Sequence, residues 1–111
     1  MSYDEKLAAR VRTALARRRG VTEKKMFGGV CFLVNGAMCC GVLGTELIAR
    51  VGSEHHADAV ADKHARPFDF TGRPSKGMVY VSAAGIRTAA QLQRWLDRGL
   101  AEARAKAKKR G

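Results

Sequence analysis

The chain has 111 residues, 46% of them hydrophobic, with 21 Lys+Arg against 10 Asp+Glu and a formal net charge of +11. This length predicts a single domain, since domains commonly run to about 100–150 residues, and the apolar content excludes a wholly disordered chain. No run of 18 apolar residues occurs, so no membrane span is expected, and the polar start Met1-Ser2-Tyr3-Asp4-Glu5 is no signal peptide; a cytoplasmic location follows by default.

Ser2 and Glu5 have the S-x-x-E spacing of a capping box. Leu7, Ala8, Val11, Ala14 and Leu15 then form one apolar stripe, which predicts a helix from about Tyr3 to Arg18, stopped at Gly20. Lys24 to Val34 is rich in β-branched and aromatic residues and predicts a strand, with a bulge or close backbone approach at Gly28-Gly29. Asn35-Gly36 is a hairpin signal, because a type I′ turn needs positive φ at both central positions. Ala37 to Leu43 is the expected return strand, Gly44-Thr45 a second turn, and Glu46 to Val51 a third strand. A short helix is expected over roughly Glu54 to His64, with Ala57, Val60, Ala61 and His64 on one face and Pro67 beyond its end. Phe68 to Thr71 is expected to be a short edge strand, and Met78 to Ser82 a further strand after a loop from Gly72 to Gly77. Thr88 and Gln91 repeat the capping-box spacing, and Leu92, Trp95, Leu96, Gly99, Leu100 and Ala103 give a long amphipathic helix. Beyond Ala103 the apolar stripe thins, so residues 1–103 are expected to form the domain and 104–111 a basic, frayed tail.

The order α-β-β-β-α-β-β-α, with strands joined by tight turns, predicts the α+β class: a two-layer domain of antiparallel sheet and helices.

Charge is unevenly placed. Residues 1–20 carry a net +4, residues 21–83 a net +1 and residues 84–111 a net +6. Basic ends on a nearly neutral middle are an electrostatic footprint for an anion such as nucleic acid, and equally the ordinary solvated faces of Ala/Arg/Lys helices. Arg17, Arg18, Arg19, Lys24 and Lys25 form the densest basic cluster outside the tail, and Arg73 and Lys76 place two more cations on the predicted Gly72–Gly77 loop. These seven are the candidate anion or partner contacts. Adjacent strand residues point to opposite faces, so only one of Lys24 and Lys25 can lie over the sheet.

With a two-residue turn at Asn35-Gly36, Val34 pairs with Ala37, Leu33 with Met38, Phe32 with Cys39 and Cys31 with Cys40. That register makes Cys31 and Cys40 a candidate redox pair, at the short edge of disulfide geometry, with Cys39 on the opposite face. The competing expectation is three reduced, buried small side chains. Both faces of this hairpin are apolar, which predicts that its second face is covered by a helix, a tail or another subunit, and makes a homodimer one expectation.

No catalytic constellation emerges. Gly72 and Gly77 have the spacing of a phosphate loop, but Met78 stands where Lys is required. His55, Asp58 and Asp62 share a face at helical spacing without the four well-placed ligands of a zinc site, and Cys39-Cys40 lacks the C-x2-C spacing. No metal, cofactor or catalytic residue is assigned.

Thr22-Glu23-Lys24-Lys25-Met26-Phe27-Gly28-Gly29, then Phe32-Leu33-Val34-Asn35-Gly36, Met38-Cys39-Cys40-Gly41-Val42 and Arg50-Val51-Gly52 follow in order. Arg66-Pro67-Phe68-Asp69-Phe70-Thr71-Gly72-Arg73-Pro74, Lys76-Gly77-Met78-Val79-Tyr80-Val81 and the Trp95 helix complete the pattern. Over about residues 3–103 the chain resembles the N-terminal domain of the TfoX/Sxy competence-regulator family. The resemblance implies a two-layer α+β fold and a role in gene regulation, since full-length members act as coactivators of competence genes with the cyclic-AMP receptor protein at promoters. Those regulators carry a second, C-terminal domain, so the expectation here is a stand-alone form of the N-terminal domain. The resemblance supplies no catalytic residues.

The leading expectation is therefore a small non-enzymatic regulatory or adaptor domain acting through protein contacts, with a partner in the transcription machinery. Its rivals are direct nucleic-acid binding through the basic terminal helices and a thiol redox sensor.

Overall fold

The computed structural model describes residues 3–16, 18–26, 28–68 and 75–110. Helix α1 spans Glu5–Leu15, and a hairpin of β1 (Val21–Met26) and β2 (Gly29–Val34) follows. Next come β3 (Ala37–Leu43), β4 (Glu46–Arg50), a 3-10 turn at Ser53–His55 and α2 (His56–Val60). The chain then runs through β5 (Ala65–Phe68), β6 (Ser75–Val81), a second 3-10 turn at Ala83–Ile86, and α3 (Ala89–Arg110). One six-stranded sheet in the order β1-β2-β3-β4-β6-β5 results, antiparallel throughout. This is the α+β fold expected, with helices and strands interleaved as read from the sequence.

Local chemistry sets most of the boundaries. Asp4 starts α1: its Oδ1 accepts from the amides of Lys6 at 2.9 Å and Leu7 at 3.2 Å. Ser2 lies outside the described residues, and α1 ends at Leu15, earlier than the stripe suggested. The Thr88–Gln91 box forms in full, each side chain accepting from the other's amide at 3.0 Å. Asn35 and Gly36 have φ of 51° and 85°, the primed turn that their identities call for.

The segment expected as one strand from Lys24 to Val34 is a hairpin. Gly28, at φ 79°, sits in the turn between β1 and β2, so strand pairing starts at Val21 and reverses where a bulge was expected. The short helix also differs. Only His56–Val60 is α-helical, Ala59 is its buried residue, and Asp62 lies beyond it, accepting the amide of His64. Pro67 falls inside β5, tolerated because β5 is an edge strand. At the other end, α3 runs as regular helix through Arg110, seven residues past Ala103, where fraying was expected.

Every helix packs on one face of the sheet. Leu7, Val11 and Leu15 of α1, Ala59 of α2, and Leu92, Trp95, Leu96 and Leu100 of α3 share a core with Phe32, Val42, Leu47, Val79 and Val81 of the strands. The approach of α3 is close enough that Gly99 is required: a Cβ there would run into the backbone carbonyl of Cys39. Arg10 ties α1 to the second 3-10 turn by donating to the Ile86 carbonyl at 2.7 Å. Among the described residues, no helix is long and apolar enough to cross a membrane.

Candidate functional site

The cysteines separate. Pairing of β2 with β3 begins as expected, Val34 with Ala37 and Leu33 with Met38, but the register then slips by one between Phe32 and Leu33. Phe32 now faces Cys40 and Cys31 faces Gly41, so the expected Cys31–Cys40 pair is not formed. The extra residue is Cys39, which lies on the face opposite Cys31 as expected; the bulge turns Cys40 to that same helix side. A two-residue turn fixes register only next to itself; three residues away, the fit of β3 under α3 decides it. The Cys39 thiol donates to the Leu96 carbonyl at 3.8 Å, which draws the bulge against α3. All three thiols are free and buried. Cys40 is held well above the ordinary thiol range, first by its hydrogen bond with Cys39 and then by burial. Burial alone raises Cys31.

The basic cluster also separates. Lys24 pairs with Cys31 and lies on the sheet face away from the helices, whereas Lys25 pairs with Val30, a residue of the helix-side core. Arg18 turns towards α3, its guanidinium 4.0 Å from the carboxylate of Asp97. Arg19, Lys24 and Lys25 are exposed. Arg17 and Arg73 lie outside the described residues, and Lys76 falls within β6 rather than on a loop. Arg18, Arg19, Lys24 and Lys25 are thus not one patch.

Two surfaces emerge in their place. The first is the solvent side of α3. Arg94, Arg98 and Arg104 are exposed along it, and Arg98 stacks over the Trp95 ring at 4.8 Å. Arg94 and Arg98, with Asp62 and Gln91, line a shallow groove above Trp95. The sequence of α3 continues with Lys106, Lys108, Lys109 and Arg110.

The second is the outer face of the sheet. A row runs across all six strands from Lys24 through Cys31, Gly41, Ile48 and Tyr80 to Arg66. Ile48, Phe68 and Tyr80 form a small cluster there, with Met38, Leu43 and Met78 packed half-buried around it. Arg66 stacks over the Tyr80 ring at 4.3 Å and forms an ion pair with Glu46. The Arg50 guanidinium donates to the Met38 carbonyl at 3.2 Å, so its position beside the cluster is fixed. Periodicity could reveal that this face is apolar; it could not reveal that Arg50 and Arg66 frame it, because both come from strands whose neighbours are set by the crossover through α2.

His55, Asp58 and Asp62 do not share a helix face, since α2 ends before Asp62. Among the described residues, no three His, Cys, Asp or Glu side chains gather to hold a metal ion.

The model of the TfoX N-terminal domain matches residues 13–103, well over half of the chain. The chain belongs to the TfoX N-terminal domain family. No curated protein and no solved structure matches it. As a member of this family the chain is a small regulatory or adaptor domain that acts through protein contacts, not an enzyme. The TfoX-type domain thus presents two surfaces suited to such contacts, the basic ridge of α3 and the outer face of the sheet.

Proposed function

We propose that this TfoX-type domain is a cytoplasmic regulatory adaptor that contacts a component of the transcription machinery and holds nucleic acid electrostatically along α3. The observation that carries the nucleic-acid part is the run of exposed cations on α3. Arg94, Arg98 and Arg104 stand on the domain, and four more Lys/Arg positions follow on the same helix beyond its last buried residue, Ala103. A regular helix carrying cations past the body of the domain is a geometry for phosphate contact without base reading. Three free, buried thiols agree with a reducing compartment. Arg18 and Arg19 lie exposed in the turn after α1 and extend the basic surface, Arg18 beside Asp97 of α3; Arg17, Arg73 and Lys76 are proposed contacts on sequence alone.

The test is fluorescence anisotropy of labelled duplex DNA at 50 and 200 mM salt, with the full chain and with a chain ending at Ala103. A ridge engaging four phosphates follows a slope of about −0.9 per contact, so binding is expected to weaken roughly a hundredfold between the two salts. Loss of that salt dependence on truncation places the contact on α3. Equal binding by the truncated chain would remove the part of α3 beyond Ala103 from the contact, and no binding at 50 mM would leave protein contacts alone.

A further inference from the structure

We infer that the outer face of the sheet is the docking surface for an acidic, apolar-rich polypeptide segment of a partner protein. The inference rests on the adaptor role but not on nucleic-acid binding, because this face lies opposite the helices.

The face has two parts. Its floor is apolar: Cys31 and Ile48 are each 2% exposed, and Leu33, Met38, Leu43 and Met78 stand half-buried around them. All come from β2, β3, β4 and β6, so the apolar strip is central in the sheet and not at an edge. Gly41 stands between Cys31 and Ile48 in the row, and its neighbour strand packs close: a Cβ there would meet the Val30 carbonyl at 2.9 Å and the Cys31 sulfur at 3.4 Å. Four neighbouring strands make a strip roughly 15 Å wide, enough to seat one helix about 10–12 Å across or one extended segment. Among the described residues no helix covers it; α1, α2 and α3 all bury their apolar stripes on the other side.

The rim is positive. Lys24 stands exposed on β1, Arg50 is pinned to the Met38 carbonyl on β4, and Arg66 lies over Tyr80 on β5. Glu46 is the one acidic side chain of this face among the described residues, and it is already paired with Arg66. An apolar strip with cations on both flanks complements a segment whose apolar side chains alternate with Asp and Glu. A second copy of this chain fits poorly: it would bring the same Lys24 and Arg50 against this rim, on a molecule of net charge +11. Nucleic acid fits poorly as well, because the two rings of this face, Phe68 and Tyr80, are buried against each other, with Arg66 over Tyr80, and the rest of the floor is aliphatic, thiol or thioether. Arg50 is the preorganised element. Its guanidinium is held by one hydrogen bond and still has donors for a carboxylate, so little side-chain freedom is lost on binding.

The experiment is amide NMR of the full chain titrated with a synthetic peptide of alternating Leu/Phe and Asp/Glu. A control peptide has Asn/Gln in place of every Asp/Glu. Shift changes are expected at Leu33, Met38, Gly41, Ile48 and Met78, with α3 unmoved. The control peptide is expected to bind at least tenfold more weakly. Arg50→Gln and Lys24→Gln, both at the rim, are expected to lower affinity severalfold each. Leu33→Ser is expected to do so while leaving the circular dichroism spectrum unchanged. Shift changes confined to α3, equal binding of both peptides, or no shift at millimolar peptide would each overturn the inference. So would a concentration-dependent dimer with these same amides at its interface. None of these outcomes depends on the DNA titration, so the two readings fail separately.

Discussion

Phe32 and Leu33 are neighbours in β2, yet they live on opposite sides of the domain. Phe32 is fully buried under the helices, while Leu33 stands half-buried on the open face beside Met38. The helix-covered side of the sheet has interdigitating side chains, a glycine cut for contact at Gly99 and, among the described residues, no buried polar side chain in its core. The open side is thinner: Cys31, Ile48, Phe68 and Tyr80 are buried, a ring of half-buried residues surrounds them, and Arg66 is paired with Glu46. The difference shows where stability resides and where a surface is left over. The first face is filled by the chain itself; the second is left apolar without a helix among the described residues to use it.

Truncation of the two neighbours is the sharpest way to break this contrast. Phe32→Ala is expected to cost about 3–5 kcal/mol, because the side chain is surrounded and the cavity cannot collapse. Leu33→Ala is expected to cost about 1 kcal/mol, since part of its surface is already solvated. Urea unfolding of both variants checks this, and equal losses would mean that the outer face is as well packed as the inner one.

Gly99→Ala comes next. Alanine favours a helix over glycine by about 1 kcal/mol, but the added methyl meets the Cys39 carbonyl, and overpacking typically costs about 1–3 kcal/mol. The contact is with backbone, so the clash wins and a net loss of roughly 1–2 kcal/mol is expected. A gain in melting temperature would show that α3 can lift from β3. Asp4→Ala removes the acceptor for two amides at the start of α1 and is expected to cost about 1 kcal/mol, again by urea unfolding.

The smallest effect is the Arg12–Glu23 pair, which links α1 to β1 on the surface. Its hydrogen bond with Arg12 pulls the Glu23 carboxyl below the usual carboxylate range. A depressed folded-state value means stability that is present above the ordinary carboxylate range and lost as pH falls through the folded value. Both side chains are exposed, so the contribution is small and salt-screened. Melting curves of the wild type and Glu23→Gln are expected to differ slightly at pH 7 and low salt, and to coincide at pH 3. A large difference that persists in high salt would mean that the pair is packed as well as charged.

Much of this protein was legible in its sequence, for a physical reason. Turns and caps are local: Asn35-Gly36 and the Thr88–Gln91 box act through groups within four residues, so the residue types carry the geometry. Amphipathic stripes are local too, and Leu92 to Ala103 announced α3 and its buried face. The family pattern was readable because it lies in such short, ordered blocks. Tertiary structure decided what depends on distant partners. The bulge that separates Cys31 from Cys40 and turns Cys40 inward is set where β3 meets α3, far outside any hairpin rule. The reversal at Gly28 rests on pairing along the whole of β1, which spacing alone did not separate from a bulge. The placing of Lys24, Arg50 and Arg66 around one apolar strip is likewise a property of strand order. Side-chain period tells which residues share a face of one strand; only the assembled sheet tells which strands lie side by side.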